Sequence, residues 1–223
     1  AQKPDLVVIF GNDDGNDATN FYYDEANDIW VGCISDNPRI EYFGYLKKMC
    51  LTLHNLAQMK KGWLPIHGAF VNIYLKDGTK KGIMLMGDSG AGKSESIEAL
   101  KAAAGDMIRE VEVVFDDMGT IHLEDGVPYG QGTEIGAFIR LDDLDPGTPY
   151  RDMDRSIFMA PENPNARMIQ PAAPYRVVVH NHKIDLFAYA NNYTNEFGLK
   201  KLTVQELKDT CTLGKRIAFR PTP

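Results

Sequence analysis

The chain has 223 residues and a formal net charge of −7, with 43% hydrophobic and 25% charged residues. This suits one well-buried globular domain, and the acidic balance excludes the broad basic surface a nucleic-acid partner would require. No apolar run approaches the roughly 18 residues of a membrane span, and the three scattered cysteines, Cys33, Cys50 and Cys211, suit a reducing compartment better than a disulfide framework, so a cytoplasmic protein is expected.

In chain order, the run 5–10 (DLVVIF) reads as a buried strand that ends in the polar turn 11–17. That turn lacks the alternating ligands and terminal Glu of a calcium loop. Residues 37–61 read as a long helix, with Pro38 in its first turn and Ile40, Phe43, Leu46, Leu53, Leu56 and Ala57 on one stripe. Residues 68–75 alternate as a strand, 77–82 turn, and 83–86 form a short buried strand that runs into GDSGAGKSES (87–96), whose continuation reads as a helix. Residues 110–115 form a strand ending on Asp116 and Asp117. From 120 to 175 Gly and Pro break the chain, with strand expected only at 137–141. Residues 175–190 read as more strand, 203–211 as a short helix, and the tail from 214 as extended. Helices and strands alternate without internal repeats, which gives an α/β class.

The segment 87–94 fits G-x-x-x-x-G-K-[ST]. Gly87, Gly90 and Gly92 permit a backbone whose N–H groups, with those of Asp88, Ser89 and Ala91, converge on phosphate oxygens. The helix start adds its partial positive charge. Lys93 would reach the β- and γ-phosphates and Ser94 would ligate Mg²⁺, with ATP or GTP as the nucleotide. A strand ending in carboxylates is where such folds hold the metal or its water, which nominates Asp116 and Asp117. His180 and His182 share a strand pattern but have no evident ligand partners, and read as satisfied or solvent-facing.

The stretch from His67 through Glu95 resembles the catalytic domain of HPr kinase/phosphorylase and also phosphoenolpyruvate carboxykinase. Residues 42–68 look like the carboxykinase run Y-x-G-E-M-K-K, helix, H-C-S-A-N: Tyr42, Gly44, Lys47, Lys48 and His67 match, whereas Tyr45, Leu46 and Gly68 depart from it. The resemblance implies an α/β, phosphoenolpyruvate carboxykinase-like P-loop nucleotide-binding domain with a mixed β-sheet and flanking helices. It also implies a Mn²⁺-type ion on Lys48, His67 and Asp117, with Tyr42 and Lys47 at a small anionic substrate. The run 162–171 is similar to E-N-T-R-V-S-Y-P and implies Arg167 at the transferred phosphate. The tail 214–222 looks like G-K-R-I-S-I-K-D-T and implies Arg216 and Thr222 at the nucleotide.

The carboxykinase arginine that binds the substrate carboxylate has no counterpart, and only Arg39 precedes Tyr42. The expected organisation is a single domain belonging to a longer chain, with 1–62 on the substrate side and 63–223 as the nucleotide core. The expected activity is phosphoryl transfer to a small anionic acceptor, with Lys93, Asp116 and Arg167 as the catalytic set. The alternatives are a protein-serine kinase of the HPr type, with Asp116 as base, and a nucleotide-binding module without turnover. No nucleic-acid or membrane partner is expected, and the sequence leaves the oligomeric state open.

Overall fold

The computed structural model describes residues 3–13, 15, 18–40, 42–87, 96, 99, 100, 102, 105, 107–140, 156–158, 166–190, 198 and 200–213, with the side chains of 138–140, 156–158, 166, 167, 170 and 211–213 excepted. In chain order the elements are β1 (Leu6–Asn12), β2 (Thr19–Asp24), β3 (Ile29–Ser35), α1 (Phe43–Lys60), β4 (Leu64–Leu75), β5 (Lys80–Met86) and β6 (Ile108–Glu124). There follow β7 (Val127–Gly132), β8 (Gly136–Arg140), β9 (Ser156–Phe158), β10 (Ala166–Pro171), α2 (Tyr175–Val178), β11 (His182–Lys183), β12 (Leu186–Tyr189) and α3 (Val204–Leu213). The result is a mixed α/β fold built on a curled six-stranded sheet of order β11-β7-β6-β4-β5-β12, with two three-stranded sheets, β1-β3-β2 and β8-β10-β9. Within the large sheet only β12 and β5 run parallel.

Strand β4 carries the core on both faces. Ile66 and Phe70 join Met84, Val114, Phe115, Val177 and Val178 on one side. Ala69, Val71 and Ile73 pack with Ile83, Leu85, Val111 and Val113 on the other, where Leu100 also rests. Ser96, Ala99, Leu100 and Ala102 are helical, which agrees with a helix after the glycine-rich loop. Helix α1 lays Met49 and Leu53 against Ile34 of the small sheet, and also touches β4.

Strands β2, β3, β9 and β10 form where none was expected, and other elements depart as well. The helix expected from residue 37 begins at Phe43, because Asn37 closes a turn first: its side chain accepts the Arg39 N–H at 2.8 Å and its carbonyl accepts the Ile40 N–H at 2.9 Å. Pro38 belongs to that turn rather than to the helix. Strand β6, expected to end on Asp116 and Asp117, runs through both to Glu124, and the stretch expected to be broken beyond residue 120 returns as β7, joined through Asp125 (φ 50°) and Gly126 (φ 79°). Two adjacent positive-φ residues make the mirror-image turn whose twist suits a hairpin, and Asp-Gly is the pair that adopts it most readily. Residues 175–178, expected as strand from their valines, form one helical turn after Pro174, with Val177 and Val178 buried in the core. Burial of two side chains outweighs their β-propensity.

A polar network crosses the interior of the large sheet. Asn72, fully buried, donates from Nδ2 to Glu112 Oε2 (2.9 Å) and to His182 Nδ1 (2.9 Å). Since the Val177 carbonyl can only accept, His182 Nε2 is the protonated nitrogen that donates to it at 2.7 Å, and Nδ1 is left as acceptor. The ring is therefore neutral, and burial pushes its pKa below the ordinary 6.5. Burial also lowers His54. The unfolded chain takes up these protons at a higher pH than the folded one. The stability they confer is thus fully present above about pH 6.5 and is lost as pH falls through the lowered folded values. We predict that the thermal midpoint, read by circular dichroism, declines between pH 7 and pH 5. Asn72→Ala should lower stability at pH 7 by about 1–3 kcal/mol, the cost of leaving buried partners unsatisfied.

Candidate functional site

The site grows from the register of three strands. Gly68 of β4 pairs with Met86 at the end of β5 and with Asp117 of β6. One residue further, the backbone N–H of Gly87 donates to the His67 carbonyl at 3.4 Å. The first residue of the glycine-rich segment, His67 and Asp117 thus occupy adjacent rungs of the sheet. Gly68, where the resembled pattern has Cys, is required here: a Cβ at that position would stand 2.6 Å from the Leu85 carbonyl oxygen.

Asp117 has φ 115°, a conformation L-residues avoid. As the cross-strand partner of Gly68, it would stand in a regular pleat on the face away from His67. The irregular backbone re-aims its carboxylate, and Oδ1 meets His67 Nε2 at 2.7 Å. Both side chains are partly open, 38% exposed for His67 and 43% for Asp117. Strain of this kind is retained where surrounding structure enforces it, commonly at functional positions.

Helix α1 adds the next charge. Lys47 Nζ lies 3.9 Å from Asp117 Oδ2 and 3.1 Å from Glu134 Oε2, with Lys47 and Glu134 only 13% and 11% exposed. Burial pushes the Glu134 carboxyl above the ordinary carboxylate range; Lys47 opposes that shift, and the negative charges of Asp117 and Asp116 add to it. Its Oε1 is buried without a hydrogen-bond partner. Glu134 was not legible as a site residue. It sits just past β7 among Gly and Thr, and the only signal in the sequence was a lone carboxylate in an otherwise uncharged run.

The other expected residues are distributed as follows. Lys48, implied as a metal ligand, holds its Nζ 5.4 Å from the centroid of the Tyr45 ring, while Lys47, implied at the substrate, is the lysine that reaches Asp117. Tyr45 replaces the glutamate of the resembled pattern, and its ring offers a cation a favourable face. Tyr42, extended at the N-cap of α1, meets Tyr45 edge-on at 5.1 Å. Asp116 pairs with Ala69 one rung from the His67–Asp117 contact. Arg167 lies on β10 between Arg140 and Ile157, in the small antiparallel sheet, and its side chain is outside the described residues. Asp88, Ser89, Gly90, Ala91, Gly92, Lys93, Ser94, Arg216 and Thr222 also lie outside them. His180 and His182 stand 5.5 Å apart, ring to ring, and His182 is spent on the network with Asn72 and Val177.

His67 and Asp117 have the chemistry of a partial cation site. A divalent ion bonded to both at about 2.1 Å would set their ligand atoms about 3 Å apart, so the observed 2.7 Å contact would need to open only slightly. Among the described residues no group of three or more His, Cys, Asp and Glu side chains is arranged to hold a metal. No helix of the described residues is long and apolar enough to cross a membrane. No protein-family model matches the chain, and no curated protein matches it.

Proposed function

We propose that the chain binds a nucleoside triphosphate, ATP or GTP, on residues 87–94 and transfers its γ-phosphoryl group to a small anionic acceptor, in the manner of a phosphoenolpyruvate carboxykinase-like P-loop domain. The observation that carries this reading is the adjacency of the loop's first residue to His67 and Asp117: Gly87 N–H to the His67 carbonyl at 3.4 Å, and His67 Nε2 to Asp117 at 2.7 Å. A generic glycine turn has no reason to begin beside a histidine–aspartate pair.

In this reading the loop amides and Lys93 hold the phosphates, Ser94 ligates Mg²⁺, and His67 and Asp117 are the nitrogen and oxygen ligands of a Mn²⁺-type ion. The ion would supply charge neutralisation at the migrating phosphoryl group. Lys48 is assigned to that ion on resemblance, and Lys47 stands 3.9 Å from Asp117. Arg167 is assigned to the transferred phosphate, and Arg216 and Thr222 to the nucleotide, on resemblance alone. One observation favours the HPr-kinase-type alternative. The pairing of Lys47 with Glu134 at 3.1 Å draws a cation away from a small-anion subsite and leaves Asp116, beside Asp117, as a base for a protein hydroxyl.

The nucleotide assignment is tested at Lys93. Lys93→Ala removes a charge-assisted contact and should weaken ATP or GTP binding by about 1.5–3 kcal/mol in calorimetry; equal affinities in mutant and wild type would end the assignment. The cation assignment is tested by paramagnetic resonance with Mn²⁺. His67→Ala and Asp117→Ala should each weaken Mn²⁺ binding by at least about tenfold, and indifference to both would leave a nucleotide module with no second ion. Phosphoryl transfer from labelled ATP to a panel of small carboxylates, set against transfer to protein serine, separates the two acceptor classes.

A further inference from the structure

Lys47 and Glu134 form the most buried ion pair among the described salt bridges of the site, and it abuts the most strained residue there, Asp117. A buried charge is held in place by its partner, and removing the partner leaves it to seek another. A second carboxylate beside Lys47 is Asp117, at 3.9 Å, and Asp117 is the residue on which His67 closes. The ammonium therefore stands between two carboxylates, nearer the one that takes no part in the His67 contact. We propose that Glu134 is a positioning residue that draws Lys47 off Asp117 and so keeps the His67–Asp117 pair open to a divalent cation. This rests on the cation reading above.

The geometry gives the sense of the effect. With Glu134 ionised, Lys47 is neutralised at 3.1 Å, and its contact with Asp117 is too long for a good hydrogen bond. Without the Glu134 charge, Lys47 closes on Asp117 Oδ2, and a positive charge occupies the carboxylate a cation would need. Glu134 acts through Lys47 and not as a ligand, so its influence disappears when Lys47 has no charge to place.

Two measurements on the full chain test this. The first is competitive labelling of amines with acetic anhydride, resolved by mass spectrometry, which needs no metal. Lys47 should label more slowly than exposed Lys48 in the wild type, and the Lys47-to-Lys48 ratio should change several-fold in Glu134→Gln. An unchanged ratio in a folded variant overturns the proposal. The second is Mn²⁺ affinity by paramagnetic resonance in Glu134→Gln, Lys47→Met and the double variant. Glu134→Gln should weaken Mn²⁺ by about tenfold, in the range of lost outer-sphere partners, and should have no effect in the Lys47→Met background. An effect that persists in that background makes Glu134 act directly on the ion and overturns its role as a positioner. If Glu134→Gln does not fold, Glu134→Asp keeps the charge with a shorter reach and should change the labelling ratio in the same direction by a smaller amount. Wild-type protein that binds no Mn²⁺ while the labelling ratio still responds to Glu134 leaves the positioning intact and sinks the cation reading alone.

Discussion

Strand β4 is apolar on both sides, and that single constraint fixes the rest. Phe70 faces one core while Ala69, Val71 and Ile73 face the other, all of them nearly or fully buried. A slip of one residue against β5 or β6 would turn each of these side chains to the wrong face. The same register that buries them sets Gly68 between Met86 and Asp117. The register that sets the candidate site is therefore fixed outside it, since His67 and Asp117 are partly solvated. It is held by hydrophobic packing a few residues further along the same strand, where burial of each large side chain is worth about 1.5–3 kcal/mol.

The buried amide of Asn72 sharpens that register. An apolar residue would be cheaper to bury, yet Asn72 Nδ2 joins Glu112 on β6 to His182 on β11, so strands far apart in sequence must meet at one place. Tyr74 donates to the same Glu112 oxygen at 3.0 Å. The Asn72 Oδ1 has no partner among the described residues, so the network is costly as well as specific, and a polar residue in this role discriminates between registers more than it adds stability. Beyond β11 the chain reaches β12, which runs parallel to β5 as far as Met86. The network thus also braces the strand that leads into the glycine-rich segment.

Patterns local in sequence were legible, and those decided by distant partners were not. The apolar alternation of β4 could be read directly, as could the strand that leads to Gly87 and the helical residues from Ser96. The Asp125-Gly126 turn carried a clear hairpin signal, hidden by the surrounding glycines and prolines. The valines of 177–179 pointed to strand, and only the core that receives Val177 and Val178 explains why they coil into α2. Glu134 could not be found from sequence at all, since its meaning comes from Lys47 on a helix many residues earlier.

That Lys47 rather than Lys48 reaches toward Asp117 follows from how α1 is clamped. Consecutive residues on a helix point about 100° apart, so two adjacent lysines cannot face the same target. Met49 and Leu53 are pinned against β3, where Gly32 leaves no room for a side chain between strand and helix. Tyr45 and Leu46 pack on the same side. Counting back two residues from Met49 turns Lys47 about 200° away from that contact, toward the large sheet that α1 touches through β4. Lys48 falls about 100° from Met49, on the flank of the helix, where the Tyr45 ring receives it. A glycine on β3 and two core side chains on α1 thereby decide which ammonium reaches Asp117. The small sheet and the large one thus meet through the orientation of one helix, which contacts both β3 and β4.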